Sequence, residues 1–173
     1  MRRLRYCVAA SLDGFVAGPQ GEYDWITMDP STDFETFFKE FDTVLMGRRT
    51  YEVAAKGRGA LIPGMKTLVC SRTLRAGDHP EVVIVDNAVE AVGALKSTMG
   101  KDIWLFGGGD LFRSLLDARL VDTIELGVMP VLLSQGIPLL PSGSRSPRLR
   151  LVQIKTSPVG IVGLTYSVDY EQA

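Results

Sequence analysis

The chain has 173 residues, of which 46% are hydrophobic and 23% charged, as in an ordinary soluble globular protein with room for one real core. Its formal net charge of −1 shows none of the excess of basic residues that is typical of nucleic-acid-binding proteins. Two cysteines and one histidine exclude a disulfide framework and leave a zinc ion without partners, so we predict no metal site. The N-terminal apolar run is too short for a signal peptide or a membrane span, which predicts a cytoplasmic protein.

The first part of the chain predicts a strand, a long loop and a helix. Residues 4–10 form an apolar strand-like run, and residues 11–30 are rich in Gly, Pro and Asp, as functional loops often are. Thr32 and Glu35 have the spacing of a capping box. An apolar helical stripe follows, and we interpret it as core. Its members are Phe34, Phe37, Phe38 and Phe41.

The rest of the chain alternates between strand-like and helix-like patterns. The predicted strands are 43–46, 66–70, 82–85, 102–106 and 121–128. The predicted helices begin near Gly47, Asn87 and Gly109, the second running to about Met99 and the third to about Ala118. Two late runs, 148–156 and 161–170, predict an antiparallel hairpin. We therefore predict one α/β domain over residues 1–173, with three α/β/α layers and a mostly parallel sheet that ends in the hairpin.

Three predicted strand ends carry chemistry suited to an anion. They are Gly47-Arg48-Arg49-Thr50, Ser71-Arg72-Thr73 and Gly107-Gly108-Gly109. Ligands of open parallel sheets bind at the carboxyl ends of strands, where helix N-termini and guanidinium groups favour phosphate. Three solvated turns are the alternative interpretation. Neither of the standard glycine-rich nucleotide motifs occurs in the sequence.

Four motifs, in this order, resemble those of the dihydrofolate reductase superfamily. They are Ala9-Ala10-Ser11-Leu12-Asp13-Gly14, Met46-Gly47-Arg48-Arg49-Thr50-Tyr51-Glu52, Val69-Cys70-Ser71-Arg72 and Phe106-Gly107-Gly108-Gly109. With Trp25-Ile26 downstream of the first motif, the chain is more similar to the reductase domain of riboflavin-biosynthesis deaminase-reductases, the RibD C-terminal type. The resemblance spans nearly the whole chain and implies an NADPH-dependent reductase of the dihydrofolate reductase fold.

The resemblance also implies roles at the phosphate end of the cofactor. Arg48, Ser71 and Arg72 would hold the adenosine 2′-phosphate and so favour NADPH over NADH. The main-chain amides of Arg49 and Thr50 would meet the pyrophosphate. These roles agree with the anion site that the strand ends predict.

For the glycine-rich turn, the resemblance implies a cis peptide between Gly107 and Gly108. It further implies that Gly108, Gly109, Asp110 and Leu111 contact the phosphates and the ribose on the nicotinamide side.

At the nicotinamide end, the resemblance implies that Ala9 and Ala10 line the ring pocket with small side chains. Asp13 and Gly14 would begin the loop that covers the cofactor.

The chain departs from the folate-reducing pattern at two positions. Where those enzymes carry Pro-Gly-Arg, this chain has Pro63-Gly64-Met65, so it lacks the arginine that grips the glutamate carboxylate, and Lys66 is a candidate substitute. Asp33 is the nearest match to the substrate-side carboxylate and our candidate catalytic residue. It also lies where an acid complements a helix dipole, and both interpretations stay open.

We therefore expect an NADPH-dependent reductase of a small pterin-like or pyrimidine-like heterocycle, with no nucleic-acid or membrane partner. The alternatives are a riboflavin-pathway 5-amino-6-(5-phosphoribosylamino)uracil reductase and a non-catalytic NADPH-binding module. The apolar stretch Ile124–Leu133 and the late hairpin are candidate surfaces for a homodimer.

Overall fold

A computed structural model describes residues 1–57, 61–143 and 147–171 of the chain. Within these ranges a short 3₁₀ helix covers Ala76–Asp78. The other elements, in chain order, are β1 (Leu4–Ser11), β2 (Phe15–Ala17), α1 (Phe34–Lys39), β3 (Phe41–Gly47), α2 (Arg48–Lys56), β4 (Lys66–Cys70), β5 (Val83–Val85), α3 (Ala88–Lys96), β6 (Asp102–Gly107), α4 (Gly109–Asp117), β7 (Thr123–Met129), β8 (Ile137–Pro138), β9 (Arg148–Thr156) and β10 (Val162–Asp169).

Eight of these strands form one sheet in the order β5-β4-β3-β6-β1-β7-β10-β9. Neighbours from β5 to β7 are parallel, and β10 runs antiparallel to both β7 and β9. Strands β2 and β8 pair separately as a small antiparallel ribbon. The predicted fold class, a mostly parallel sheet with an antiparallel hairpin at its end, is confirmed.

Helices cover both faces of the sheet because the strand side chains alternate between two apolar clusters. On one face Tyr6 stacks on Phe112 of α4 with ring centroids 3.8 Å apart, and Val92 of α3 joins the same cluster. On the other face Trp104 meets Phe37 of α1 edge to face at 5.1 Å, and Tyr51 of α2 is buried nearby. The three-layer prediction is therefore correct.

The first helix differs from the prediction at both ends. Asp33 is its N-cap, accepting a hydrogen bond from the Thr36 amide at 2.9 Å, so the predicted capping box at Thr32 and Glu35 is wrong. The helix ends at Lys39, and Phe41 opens β3 because its backbone joins the ladder with β6. Phe41 is nevertheless core, as its apolar character requires.

Other boundaries shift by a few residues. The Asn87 side chain caps α3 as predicted, accepting from the Glu90 amide at 3.2 Å, but the helix stops at Lys96 and not near Met99. Strand β7 starts at Thr123, two residues after the predicted start. The predicted 11–30 loop contains β2, since Phe15 and Ala17 pair with β8 more than 100 residues away. No helix in the described ranges is long and apolar enough to cross a membrane.

Candidate functional site

The predicted strand ends lie side by side at one edge of the sheet. Strands β4, β3 and β6 are adjacent and parallel, with Gly47 opposite Cys70 and Met46 opposite Gly107. A Cβ built on Gly47 would lie 3.9 Å from the Gly108 nitrogen. The backbones of the two glycine turns therefore approach each other closely, as the sequence predicted.

Two helices begin at this edge, and both have glycine N-caps. Gly47 precedes α2 and Gly108 precedes α4, whereas α1 and α3 are capped by the side chains of Asp33 and Asn87. Because glycine has no side chain to satisfy the first-turn amides, these amides remain available to a ligand. Two such N-termini side by side favour an anion through their amides and their dipoles.

Thr50 connects the two turns. It lies in the first turn of α2, and a Cβ built on Gly108 would come within 3.2 Å of the Thr50 hydroxyl oxygen. The Gly107–Gly108 peptide is cis, as the resemblance implied. We call the surface formed by the Gly47 and Gly107–Gly109 turns with Thr50 the glycine cradle.

A cavity of about 430 Å³ opens beside the glycine cradle. This volume is within the range typical of small-molecule sites. The cavity is lined by five of the predicted residues, Ala9, Arg49, Thr50, Gly107 and Gly108. The remaining predicted residues lie outside its lining, namely Ala10, Asp13, Gly14, Asp33, Gly47, Arg48, Ser71, Arg72, Gly109, Asp110 and Leu111.

The polar side of the predicted cofactor site contains residues with structural contacts of their own. The Ser71 hydroxyl accepts hydrogen bonds from the Thr73 and Leu74 amides at 3.1 and 3.0 Å, which shapes the turn after β4. Its oxygen also lies 3.4 Å from the Thr73 hydroxyl oxygen, and either group can donate across this contact. Arg48 lies 3.7 Å from Glu52 one helical turn on, while the Arg72 side chain is exposed beside this turn.

Asp13 fixes the start of the 11–30 loop. Its carboxylate accepts from the Ser11 hydroxyl and from the Leu133 and Ser134 amides at 2.7 to 3.1 Å. These hydrogen bonds, with that from Ser11 the strongest, lower the Asp13 pKa. Gly14 follows with a φ of +85°, which suits glycine. Asp13 thus joins the loop after β1 to the loop after β7.

Gly109 has a packing role. A Cβ at this position would lie 2.9 Å from Pro141 Cδ, so the close approach of the 138–141 segment requires glycine. Asp110 is exposed in the first turn of α4, and Leu111 packs against the apolar cluster around Tyr6.

The substrate-side candidates are not among the residues that line the cavity. Hydrogen bonds from Thr36 lower the pKa of Asp33, which keeps this exposed carboxylate ionised and makes it a poor proton donor. Met65 packs on the cluster around Tyr51 and Trp104, and Lys66 is exposed at the N-terminal end of β4, opposite the glycine cradle. The geometry of Asp33 supports its capping interpretation.

Sequence reasoning missed most of the cavity wall. One face of α2 lines it through Arg49, Thr50, Val53, Ala54 and Gly57, and Trp104 and Phe106 of β6 also line it. The spacing of the α2 residues is helical, so the signal was present directly after the Gly47-Arg48-Arg49-Thr50 motif. Tyr23 and Ile26 of the long loop also line the cavity, as do Val16, Ala17 and Ile137 of the β2–β8 ribbon.

The family model for the RibD C-terminal domain matches residues 2–163. The chain belongs to the RibD C-terminal domain family. The uncharacterized protein YyaP of Bacillus subtilis is 35% identical over 177 residues, covering 95% of this chain and 94% of YyaP.

Solved structures share the fold of this RibD C-terminal domain. A putative riboflavin biosynthesis protein from Shewanella sp. PV-4 superimposes with a TM-score of 0.83 at 22% identity, covering 98% and 99% of the two chains. Dihydrofolate reductase from Enterococcus faecalis, complexed with NADP(H), gives a TM-score of 0.67 at 18% identity, with 96% of each chain covered. The recognition made from sequence motifs is confirmed, and the family is one of reductases.

Proposed function

We propose that this RibD C-terminal domain protein is an NADPH-dependent reductase that transfers hydride to a small, planar nitrogen heterocycle. The observation that supports this most directly is the pair of glycine-capped helix N-termini beside an apolar cavity. The helix N-termini suit the phosphates of a dinucleotide, and the apolar cavity suits rings from which water must be excluded.

The residues present fit NADPH. The first-turn amides of α2 and α4 would hold the phosphates, and Arg72 with Ser71 would hold the 2′-phosphate at the end of β4. Ala9, a small residue at the cavity floor, leaves space for the nicotinamide. When bound, the cofactor supplies the hydride from its nicotinamide ring.

The protein's own contribution is to orient the two rings and to exclude water. Val53, Ala54 and Phe106 form apolar walls, and Ile26 with Tyr23 covers the cavity from the long loop. None of the described lining residues is a carboxylate, which favours water as the source of the proton.

Replacement of Gly47 by alanine tests the proposal. The new methyl group would project into the glycine cradle yet meet described protein atoms only at an ordinary distance, with the Gly108 nitrogen 3.9 Å away. We expect Gly47→Ala to weaken NADPH binding at least tenfold, by roughly 1.4 kcal/mol, with little change in Tm. Titration of NADPH fluorescence measures the affinity, and NADPH oxidation with a panel of pterins and pyrimidines measures turnover.

The matched control is Gly93→Ala, since a Cβ at Gly93 would have no atom within 4 Å and this glycine lies inside α3 and not at a strand end. Failure of the unmodified protein to bind NADPH would refute the proposal. Saturable binding without turnover on every acceptor would identify a non-catalytic NADPH-binding module.

We further propose a homodimer that forms through β9. This edge strand exposes Leu149, Leu151 and Ile154 at 45, 47 and 56%. Their partners in β10 show that all three point to one face of the sheet. A contiguous apolar face on an edge strand is typical of an interface. Two free cysteines, Cys7 and Cys70, support a reducing cytoplasmic setting for this dimer.

Leu151→Lys is expected to convert the dimer to a monomer, because it places a charge in the centre of this apolar face. Sedimentation velocity at micromolar concentration measures the change. Gln153→Lys is the control, since the register places Gln153 on the opposite face of the same strand. A monomeric unmodified protein, or equal dissociation by both variants, would contradict the β9 interface.

A further inference from the structure

We infer that Tyr51 is a positioning residue that strengthens the preference for NADPH over NADH. Together with His79 and Glu81, its hydroxyl group holds the loop that carries Arg72 in place beside the glycine cradle. The inference rests on the proposed function, in which Arg72 contacts the 2′-phosphate. It also gives a role to the one histidine of the chain.

Residues 71–82 connect β4 to β5, and we call this segment the Arg72 loop. Ser71 begins the loop, and its amide donates to the Val85 carbonyl oxygen at 2.9 Å. The Ser71 hydroxyl oxygen accepts from the Leu74 amide at 3.0 Å, and the Leu74 side chain packs on the apolar cluster around Trp104. Arg72 therefore lies in a short turn between two residues that are held by the body of the protein.

Tyr51 anchors the second half of the Arg72 loop on α2. The Tyr51 hydroxyl donates to the Glu81 carboxylate, and its oxygen lies 3.1 Å from His79 Nδ1. The His79 tautomer with a proton on Nδ1 can donate to this phenol oxygen. The Tyr51 and His79 rings also meet edge to face, with centroids 5.4 Å apart. We call these three residues the Tyr51 clasp, since one phenol joins two loop residues to the helix.

The Tyr51 clasp lies at the border of the core. Tyr51 is 4% exposed, whereas the side chains of His79 and Glu81 are 28 and 40% exposed. The hydrogen bond to Glu81, followed by burial, raises the pKa of Tyr51 to about 12, and the same hydrogen bond lowers the pKa of Glu81. At neutral pH the phenol is therefore the donor and the carboxylate the acceptor.

Tyr51 also belongs to the helix turn that forms part of the glycine cradle. It directly follows Thr50, and α2 begins at Arg48 with Gly47 as its N-cap. In α-helix geometry the Tyr51 amide is the first that bonds within the helix, to the Gly47 carbonyl oxygen, while the amides before it are available to a ligand. Tyr51 thus closes the anion-binding turn with its backbone and holds the Arg72 loop with its side chain.

This double role relates the two phosphate positions of the cofactor to each other. In the proposed function, the pyrophosphate lies at the glycine cradle and the 2′-phosphate at Arg72. A loop that is already fixed relative to the cradle loses less conformational freedom when NADPH binds. Because NADH has no 2′-phosphate, it gains nothing from a well-placed arginine. Loss of the Tyr51 clasp should therefore weaken the binding of NADPH and not that of NADH.

Tyr51→Phe tests the inference, because it keeps the buried ring and removes only the hydroxyl group. We expect NADPH to bind about three- to tenfold more weakly, the size of one ordinary hydrogen bond, with NADH affinity unchanged. Titration of cofactor fluorescence measures both affinities. Glu81→Ala should have the same effect, whereas Glu81→Gln keeps an oxygen acceptor at the same reach and should restore the preference. An unchanged ratio of the two affinities in Tyr51→Phe or in Glu81→Ala would overturn the inference.

A double variant tests whether Tyr51 acts through Arg72. In the Arg72→Gln background, Tyr51→Phe should cause no further loss of NADPH affinity, because the residue that the clasp positions is already gone. Equal losses in the two backgrounds would overturn the inference.

Tyr170→Phe is the matched control for the lost phenol. The Tyr170 hydroxyl donates to the Val121 carbonyl oxygen at 2.9 Å, and its ring packs on the cluster at the other face of the sheet. We expect the ratio of the NADPH and NADH affinities to stay unchanged in this variant. A change as large as that in Tyr51→Phe would show that the effect is not specific to the clasp and would also overturn the inference.

NADPH binding by the unmodified protein is measured first. If NADPH does not bind, the proposed reductase function fails and the inference fails with it. If NADPH binds and its preference over NADH survives Tyr51→Phe, only the inference about the Tyr51 clasp fails.

Discussion

Arg5→Met is expected to lower the free energy of unfolding by about 3 kcal/mol, because it removes a buried cation and leaves the partly buried Glu125 carboxylate without its partner. The Arg5 side chain is only 8% exposed and donates to both oxygens of Glu125, at 2.6 and 2.8 Å, and to Glu40. Its guanidinium also lies 4.6 Å from the centroid of the Phe41 ring. Chemical denaturation monitored by circular dichroism measures the loss.

Burial alone would lower the pKa of Arg5, but the hydrogen bonds to Glu125 and Glu40 raise it above its ordinary value. The cation is therefore strongly held, and it joins β1 to β7 and to the end of α1. Methionine fills a similar volume, so the decrease in the free energy of unfolding comes mainly from the lost charge and not from a cavity.

Arg3→Met is the matched control for this variant. Arg3 also pairs with a carboxylate, Asp102 at 2.6 Å, but its side chain is 57% exposed. Because water screens such a pair, we expect Arg3→Met to lower the free energy of unfolding by no more than about 1 kcal/mol. Equal losses for the two variants would contradict the buried-cluster interpretation of Arg5.

Much of the fold could be predicted from local patterns. The alternation of strand and helix signals located most of the main sheet and the closing hairpin, because each element shows its own hydrophobic period. The β2–β8 ribbon could not be found in this way, since Phe15 gains its strand conformation from a partner beyond residue 130. Similarly, Phe41 continues the helical stripe of α1, but pairing with β6 makes it a strand residue.

The candidate functional site also has one part that local sequence patterns predict and one part that they do not. The glycine cradle could be predicted because it depends on backbone at strand ends, which Gly47 and Gly107 mark in the sequence. The cavity wall depends on which residues of α2 and of the long loop meet across space. Helical spacing places Val53 on the same face of α2 as Arg49, but it does not separate a cavity position from a core position. Tyr23 reaches the wall only because Gly57 has no side chain.

Arg72→Gln is expected to reduce the preference for NADPH over NADH by 10- to 100-fold. The 2′-phosphate is the one difference between the two cofactors, and Arg72 follows β4 at the edge where the glycine cradle lies. A hydrogen bond to a charged group contributes about 1.5–3 kcal/mol, which corresponds to this range. Arg48 is a weaker candidate for the main contact, because it already lies 3.7 Å from Glu52.

Fluorescence titration of both cofactors at two salt concentrations measures the effect of Arg72→Gln. NADH affinity should stay unchanged, and the NADPH affinity of the unmodified protein should fall with salt, because an exposed arginine–phosphate contact is screened. Arg75→Gln is the control, since Arg75 is an exposed arginine three residues further along the same loop. Loss of NADH and NADPH affinity in equal measure would place Arg72 on the pyrophosphate instead, and no loss of either would remove it from the cofactor site.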